Sequence, residues 1–284
     1  MPGVDQPGEG IILVLAPFFR HNERQEWLRV RFRRQVLMLA SSEEVRERIL
    51  RQFEKIYVIN LPYRTDRKRQ IEKQLNKTGL SLSDEAVVLF EAVRPDTKGK
   101  WPSIGAQGCF FSHLTLLKDA AQNGYQSILI LEDDADWSEG FLSNATEVLD
   151  QLEALDWAFL HGGLGEDQGF PRFQMLDAGK EIKLAHCIGI SGNIVPKIAA
   201  YLEVMAAREP GDPRGGPMHV DGAYNWFRKD HPIVASYVAA PSIAKQRPSR
   251  TDIHDLHWSD RLPLVSTAKN ALRPLVNIFR KSLR

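Results

Sequence analysis

Ile128-Leu129-Ile130-Leu131-Glu132-Asp133-Asp134-Ala135-Asp136 is an aliphatic run that breaks off into four carboxylates within five positions. An uninterrupted aliphatic run of this length reads as a strand buried on both faces, as in a mostly parallel sheet. Ligands of open α/β sheets sit beyond the carboxyl ends of such strands. Acids crowded there repel one another unless a cation neutralises them, and oxygen ligands suit hard divalent ions such as Mg²⁺ or Mn²⁺. If the chain stays extended past Leu131, Glu132 and Asp134 point one way and Asp133 the other. One pair then faces a metal while Asp133 braces a loop. The competing reading is a solvated acidic strand end.

Around this stretch the text alternates between strand and helix patterns. Ile56 to Leu61 reads as a strand, followed by an arginine-dense turn and a helix through Ile71 and Leu75 that Gly79 stops. Val87 to Val93 is a second strand. A helix follows with Leu114, Leu117 and Ala121 on one face and Gly124 at its end, and Trp157 to His161 is a further strand. The alternation predicts a doubly wound α/β sheet, Rossmann-like, mostly parallel and flanked by helices. The segment Pro210 to Pro217 reads as a loop.

The two ends differ from this middle. Residues 1–52 read as an N-terminal extension, with an arginine-rich segment and, from Ser41-Ser42-Glu43-Glu44, a capped helix through Ile49 and Phe53. Residues 53–258 form the main domain. Residues 259–284 form a basic amphipathic tail; Arg261 to Arg284 holds six Lys or Arg and no acids. Such a tail either lies on an anionic membrane surface or docks on its own domain.

With 284 residues, 43% hydrophobic and 26% charged, the composition is that of an ordinary globular protein. A formal net charge of +1 argues against a nucleic-acid partner. The only two cysteines, Cys109 and Cys187, suggest neither a disulfide framework nor a CxxC metal site, and a reducing, cytoplasmic setting fits. No apolar run spans a bilayer. The expected location is the cytoplasm, with the tail as a peripheral contact on the inner face of the membrane.

Arg64, Arg67, Lys68 and Arg69 follow the first strand's end at Asn60, where arginine forks suit a diphosphate; the plainer reading is a solvated helix start beside Asp66. Gly108-Cys109-Phe110-Phe111-Ser112-His113 puts a hydroxyl and an imidazole on a helix that begins near a glycine turn. Adjacent helical residues do not face each other, so Ser112 and His113 are not a nucleophile–base pair.

Taken in order, these segments resemble glycosyltransferase family 25, the lipopolysaccharide glycosyltransferases and collagen galactosyltransferases. The matching pieces are Val58-Ile59-Asn60-Leu61 with Arg64 and Arg67, Phe90-Glu91-Ala92-Val93, Gly108-Cys109-x-x-Ser112-His113 and Leu131-Glu132-Asp133-Asp134. Gly189-x-x-Gly192-Asn193, Val220-Asp221 and Thr251-Asp252-Ile253 complete the set, and the resemblance covers roughly residues 55–255. Ala106-Gln107 stands where the family often has a Glu, and Thr251 replaces a common Ser. Both departures bear on substrate more than on activity.

The resemblance implies a glycosyltransferase A-type fold and a metal-dependent, inverting hexosyl transfer. The donor is a nucleotide sugar, UDP-linked, and the acceptor a hydroxyl of a cell-surface glycan or lipid-linked oligosaccharide. The acids then form the "DxD" element as Glu-x-Asp. Asp134 holds Mn²⁺ or Mg²⁺, with Glu132 on the metal or the donor's ribose, and Asn60, Arg64, Arg67, Ser112, His113, Glu132 and Asp133 line the donor site. Inversion needs a general base, for which Asp221 is the candidate, its alternative role being a helix cap. His254 lies about 30 residues further on, where the chain returns toward the site, and is a candidate third metal ligand beside its reading as a surface histidine. Two other functions fit the same acids: a nucleotidyltransferase, although a glycine-rich phosphate loop is missing, and a catalytically silent nucleotide-sugar-binding scaffold.

Overall fold

The computed structural model describes residues 42–165 and 168–248. His254, Asp252 and the basic tail lie outside the described residues.

The elements run α1 (residues 42–52), β1 (Lys55–Asn60), α2 (Thr65–Asn76), β2 (Val87–Glu91), α3 (Ile104–Asn123), β3 (Ser127–Glu132), β4 (Ala135–Trp137) and α4 (Phe141–Glu153). They continue with β5 (Phe159–His161), β6 (Gln174–Met175), β7 (Cys187–Ser191), α5 (Val195–Ala207), α6 (Val220–Asp230), β8 (Ser236–Val238) and β9 (Ala244–Gln246). Seven strands form one sheet in the order β2-β1-β3-β7-β5-β8-β6. β2, β1 and β3 pair in parallel, as do β5 and β8, whereas β7 runs antiparallel to both its neighbours and β6 to β8. The sheet is therefore mixed α/β and mostly parallel, with β7 reversed in its middle.

Alternating side chains of the central strands feed two cores. Tyr57 and Ile59 of β1 and Ile128 and Ile130 of β3 pack with Phe110, Leu117, Ile198 and Phe227, beneath α3, α5 and α6. Ile56, Val58, Leu129 and Leu131 pack on the other face with Val45, Ile71, Leu75 and Val148, from α1, α2 and α4. This accounts for the unbroken aliphatic runs: both faces of β1 and β3 are covered. The helix over 42–52, placed by composition in the extension, sinks Val45 and Ile49 into the second core and is part of the domain. Gly124 caps α3 in the left-handed region at φ 70°.

The two glycines of the Gly189-x-x-Gly192 motif serve close approaches. A Cβ on Gly189 would stand 2.7 Å from the Phe53 ring, and Gly192 lies against the backbone of Tyr125 and Gln126, donating its N–H to the Gln126 carbonyl.

One local expectation changes. The extended geometry ends at Glu132, and Asp133-Asp134 form a turn into β4, which pairs with β9 in a separate two-stranded ribbon. Strict alternation therefore does not set where the three acids point. The ribbon brings Arg247 back beneath them, its N–H donating to the Asp134 carbonyl at 2.7 Å.

Candidate functional site

In the order β2-β1-β3 the chain leaves β1 in opposite directions, so the switch point lies where Asn60 and Glu132 end adjacent strands. The acids of the turn sit at this crevice, and each has a distinct environment.

Asp133 is held from two sides. Its Oδ2 accepts from Asn60 Nδ2 at 2.7 Å and its Oδ1 from Arg67 Nη1 at 2.7 Å. All three residues are buried. Burial nevertheless raises the Asp133 carboxyl against the pull of Arg67 and Asn60. Asn60 also donates to the Arg64 carbonyl at 3.3 Å, which fixes the start of α2. Arg64 itself is paired with Asp66 at 3.0 Å.

Asp134 is 2% exposed, and its Oδ2 lies 3.4 Å from Arg67 Nη1. Its Oδ1 is buried without a hydrogen-bond partner. Burial, then the negative charge of Glu132, pushes its pKa up to about 7 despite Arg67. A buried acceptor left unmet in this way is costly, and a cation is the ligand that would satisfy it. Asp136, next along, is bound by Arg247 and by Gln74, the latter at 2.7 Å, and belongs to the ribbon's support.

Glu132 points toward α3 rather than α2. Its Oε1 lies 3.5 Å from Cys109 Sγ, which donates to it, and 3.4 Å from His113 Nε2. The His113 contact is electrostatic: Nε2 is buried and not aligned as a hydrogen bond. Burial works to raise the Glu132 carboxyl, but His113, His186 and the Cys109 thiol outweigh it and hold the carboxyl below the usual glutamate range. His113 Nδ1 lies 2.8 Å from the Tyr224 hydroxyl, which both donates and accepts and so serves either tautomer. Burial, then the charge of Glu132 and its hydrogen bond, with Asp221 and Asp134 adding to them, keeps the Cys109 thiol well above its ordinary pKa.

The Gly-Cys-x-x-Ser-His motif divides between two sides of α3, because residues four apart share a face. Gly108 and Ser112 meet the chain leaving β2. A Cβ on Gly108 would stand 2.6 Å from the Val93 carbonyl oxygen. The Ser112 hydroxyl accepts from Val93 N–H at 2.8 Å and donates to the Gly108 carbonyl at 2.7 Å. Cys109 and His113, on the neighbouring side, meet Glu132.

Asp221 lies in the first turn of α6, whose N-cap is His219. Its Oδ2 accepts from Leu184 N–H at 2.9 Å and its Oδ1 from Gly222 N–H at 2.8 Å. Leu184 sits at φ 72°, the positive φ noted among the described non-glycine residues. Of the other aspartates near α6, Asp212 is held by Arg214, and Asp230 accepts from Tyr201 at 2.6 Å.

The structure therefore brings Asn60, Arg67, Asp133 and Asp134 into one buried network, and Ser112, His113 and Glu132 to the adjoining helix. Arg64 stands at the entrance to α2. Reading the sequence missed Cys109, Tyr224, His186 and Arg247 as neighbours of the acids. Only the Cys109–His113 spacing of four gave a signal for any of them. His186 offers its carbonyl to Glu132 N–H at 3.0 Å, and its ring fills the space beside Gly163.

The model of glycosyltransferase family 25 (LPS biosynthesis protein) matches residues 53–174, a segment that holds every one of these groups except His186, Asp221, Tyr224 and Arg247. The chain is similar to procollagen galactosyltransferase 1-B of Xenopus laevis, 22% identical over 129 residues, which are 39% of this chain and 21% of that protein. It thus spans about a fifth of that relative's length. A crystal structure of a glycosyltransferase involved in the glycosylation of the major capsid of PBCV-1 aligns over 69% of this chain and 93% of its own, with a TM-score of 0.44 and 11% identity. No helix of the described residues is long and apolar enough to cross a membrane. The match over residues 53–174 and the galactosyltransferase relative support an assignment to glycosyltransferase family 25.

Proposed function

We propose that the chain transfers a hexose from a UDP-linked sugar to a hydroxyl of a cell-surface glycan or lipid-linked oligosaccharide, with inversion. The observation that carries this reading is Asp134, a carboxylate at the switch point with one oxygen buried and unmet and its pKa raised to about 7. Asp134 suits Mn²⁺ or Mg²⁺, and such an ion would neutralise charge on the departing nucleoside diphosphate. Asn60 and Arg67 position this site by pinning Asp133, which fixes the turn that presents Asp134. Arg64, at the mouth of α2, is the cation placed to meet donor phosphate. Asp221 takes the proton of the acceptor hydroxyl, its oxygens aimed by Leu184 and Gly222. The descriptions of the matched family and relative, lipopolysaccharide biosynthesis and procollagen galactosylation, support a hexose donor and a glycan or glycosylated acceptor.

The test is release of UDP from a panel of UDP-hexoses with and without Mn²⁺. Slow, metal-dependent hydrolysis is expected. Cleavage of a nucleoside triphosphate to pyrophosphate would point to nucleotidyl transfer instead, and tight binding without turnover to a silent sugar-nucleotide receptor.

A further inference from the structure

Cys109 Sγ, His113 Nε2 and Glu132 Oε1 lie within 4.8 Å of one another at the seam between α3 and β3. We propose that these three atoms bind one zinc-class divalent cation, at a site separate from the oxygen-ligand position at Asp134. A tetrahedral centre with zinc bonds of about 2.0–2.3 Å has ligand–ligand edges of about 3.3–3.6 Å. The observed edges from Glu132 Oε1 are 3.4 Å to His113 and 3.5 Å to Cys109. Two of the three edges already have the size of a coordination face, and the third lies within 4.8 Å.

Three further features point to a cation rather than to chance proximity. His113 is 0% exposed, and its Nε2, aimed at Glu132, has no hydrogen-bond partner. Its other nitrogen is fixed by the Tyr224 hydroxyl at 2.8 Å, the outer-sphere contact that orients a ligating imidazole. Cys109 and His113 are four residues apart on α3, so one helix face delivers both with little freedom. A thiolate and a carboxylate balance a divalent charge, so binding releases the thiol proton to solvent and leaves a neutral centre. The S, N, O donor set selects zinc over Mg²⁺ or Mn²⁺. Three protein ligands leave a fourth position for water or an incoming group. The inference needs only these atoms and does not depend on the glycosyl-transfer reading.

The test uses the full chain, stripped with a chelator and titrated with Zn²⁺ against a competing metal indicator, then with Co²⁺. One equivalent of tightly held Zn²⁺ is expected, and the Co²⁺ form should show a thiolate charge-transfer band. Cys109→Ser should abolish that band and weaken Zn²⁺ binding by about 10- to 100-fold or more, with an unchanged circular dichroism spectrum. His113→Gln should weaken it similarly, and Asp134→Ala should leave the stoichiometry at one. No Zn²⁺ binding by the folded parent would overturn the proposal. So would a Co²⁺ spectrum without thiolate character, or binding that survives in Cys109→Ser and disappears in Asp134→Ala. Those outcomes are read without any sugar nucleotide, so they are independent of whether UDP-hexoses are turned over.

Discussion

At Asp134, burial and the neighbouring Glu132 charge make the ionised carboxylate a liability. The native state holds its proton up to about pH 7, whereas an unfolded carboxyl loses it near 3.8. The native state therefore binds the extra proton, and stability attached to this group is lost as pH rises from about 4 to about 7. Asp134→Asn should thus be at least as stable as the parent above pH 7 in chelator, by up to roughly 1–3 kcal/mol, with the difference gone below pH 4. Urea unfolding at the two pH values measures this, and a variant clearly less stable at pH 8 would contradict it. Asp221 differs, because both its oxygens accept backbone N–H groups. Asp221→Asn keeps one of those acceptors and turns an amide toward the other, costing about 1 kcal/mol. If Asp221 is the base, acceptor transfer at saturating donor should fall about 10²- to 10⁴-fold while the donor dissociation constant holds. Transfer near the parental rate would reduce Asp221 to its role in joining α6 to Leu184.

At the scale of elements, α3 is fitted to the strands on two sides. Gly108→Ala forces a Cβ against the Val93 carbonyl oxygen, which is backbone and has little room to retreat. Ser112→Ala leaves the Val93 N–H without its acceptor. Each should cost about 1–3 kcal/mol. Both should also depress activity, because the same helix carries His113 to Glu132. Denaturant titration checks the first point, and an unshifted midpoint in both variants would show that α3 is not gripped there. These relations explain what the sequence could reveal. The runs of β1 and β3 and the stops at Gly79 and Gly124 were legible because burial on both faces and left-handed caps leave local marks. The reversal of β7 was not, since Cys187 to Ser191 is apolar in either direction. Nor was the aim of Asp133 and Asp134, which depends on a turn and on Arg67 arriving from α2. Glu132 looked like a partner of Asp134 in an extended strand, and only the packing of α3 on β3 turns it to Cys109 and His113.

The whole molecule carries buried histidines that bear on its acid stability. His161 is fully enclosed between the sheet and α6, neither ring nitrogen has a hydrogen-bond partner, and burial followed by the Arg228 charge lowers its pKa to about 3. The unfolded chain takes up a proton below about 6.5 and the native state does not, so stability falls as pH drops from 6.5 toward 3. The slope from this group alone is about 1.4 kcal/mol per pH unit. His161→Leu removes the titrating ring without orphaning a partner, so it should hold the neutral-pH stability and flatten that limb. An acid-unfolding curve superimposed on the parent's would contradict this. The acids at the switch point of the sheet would receive the donor through a divalent cation. The most direct measurement is the melting temperature of parent and Asp134→Ala with UDP-hexose, with Mn²⁺ and with both, since a ligand bound only to the native state raises it. A rise in the parent that needs both components, lost in Asp134→Ala, is the predicted result, and an equal rise in the variant would contradict the account.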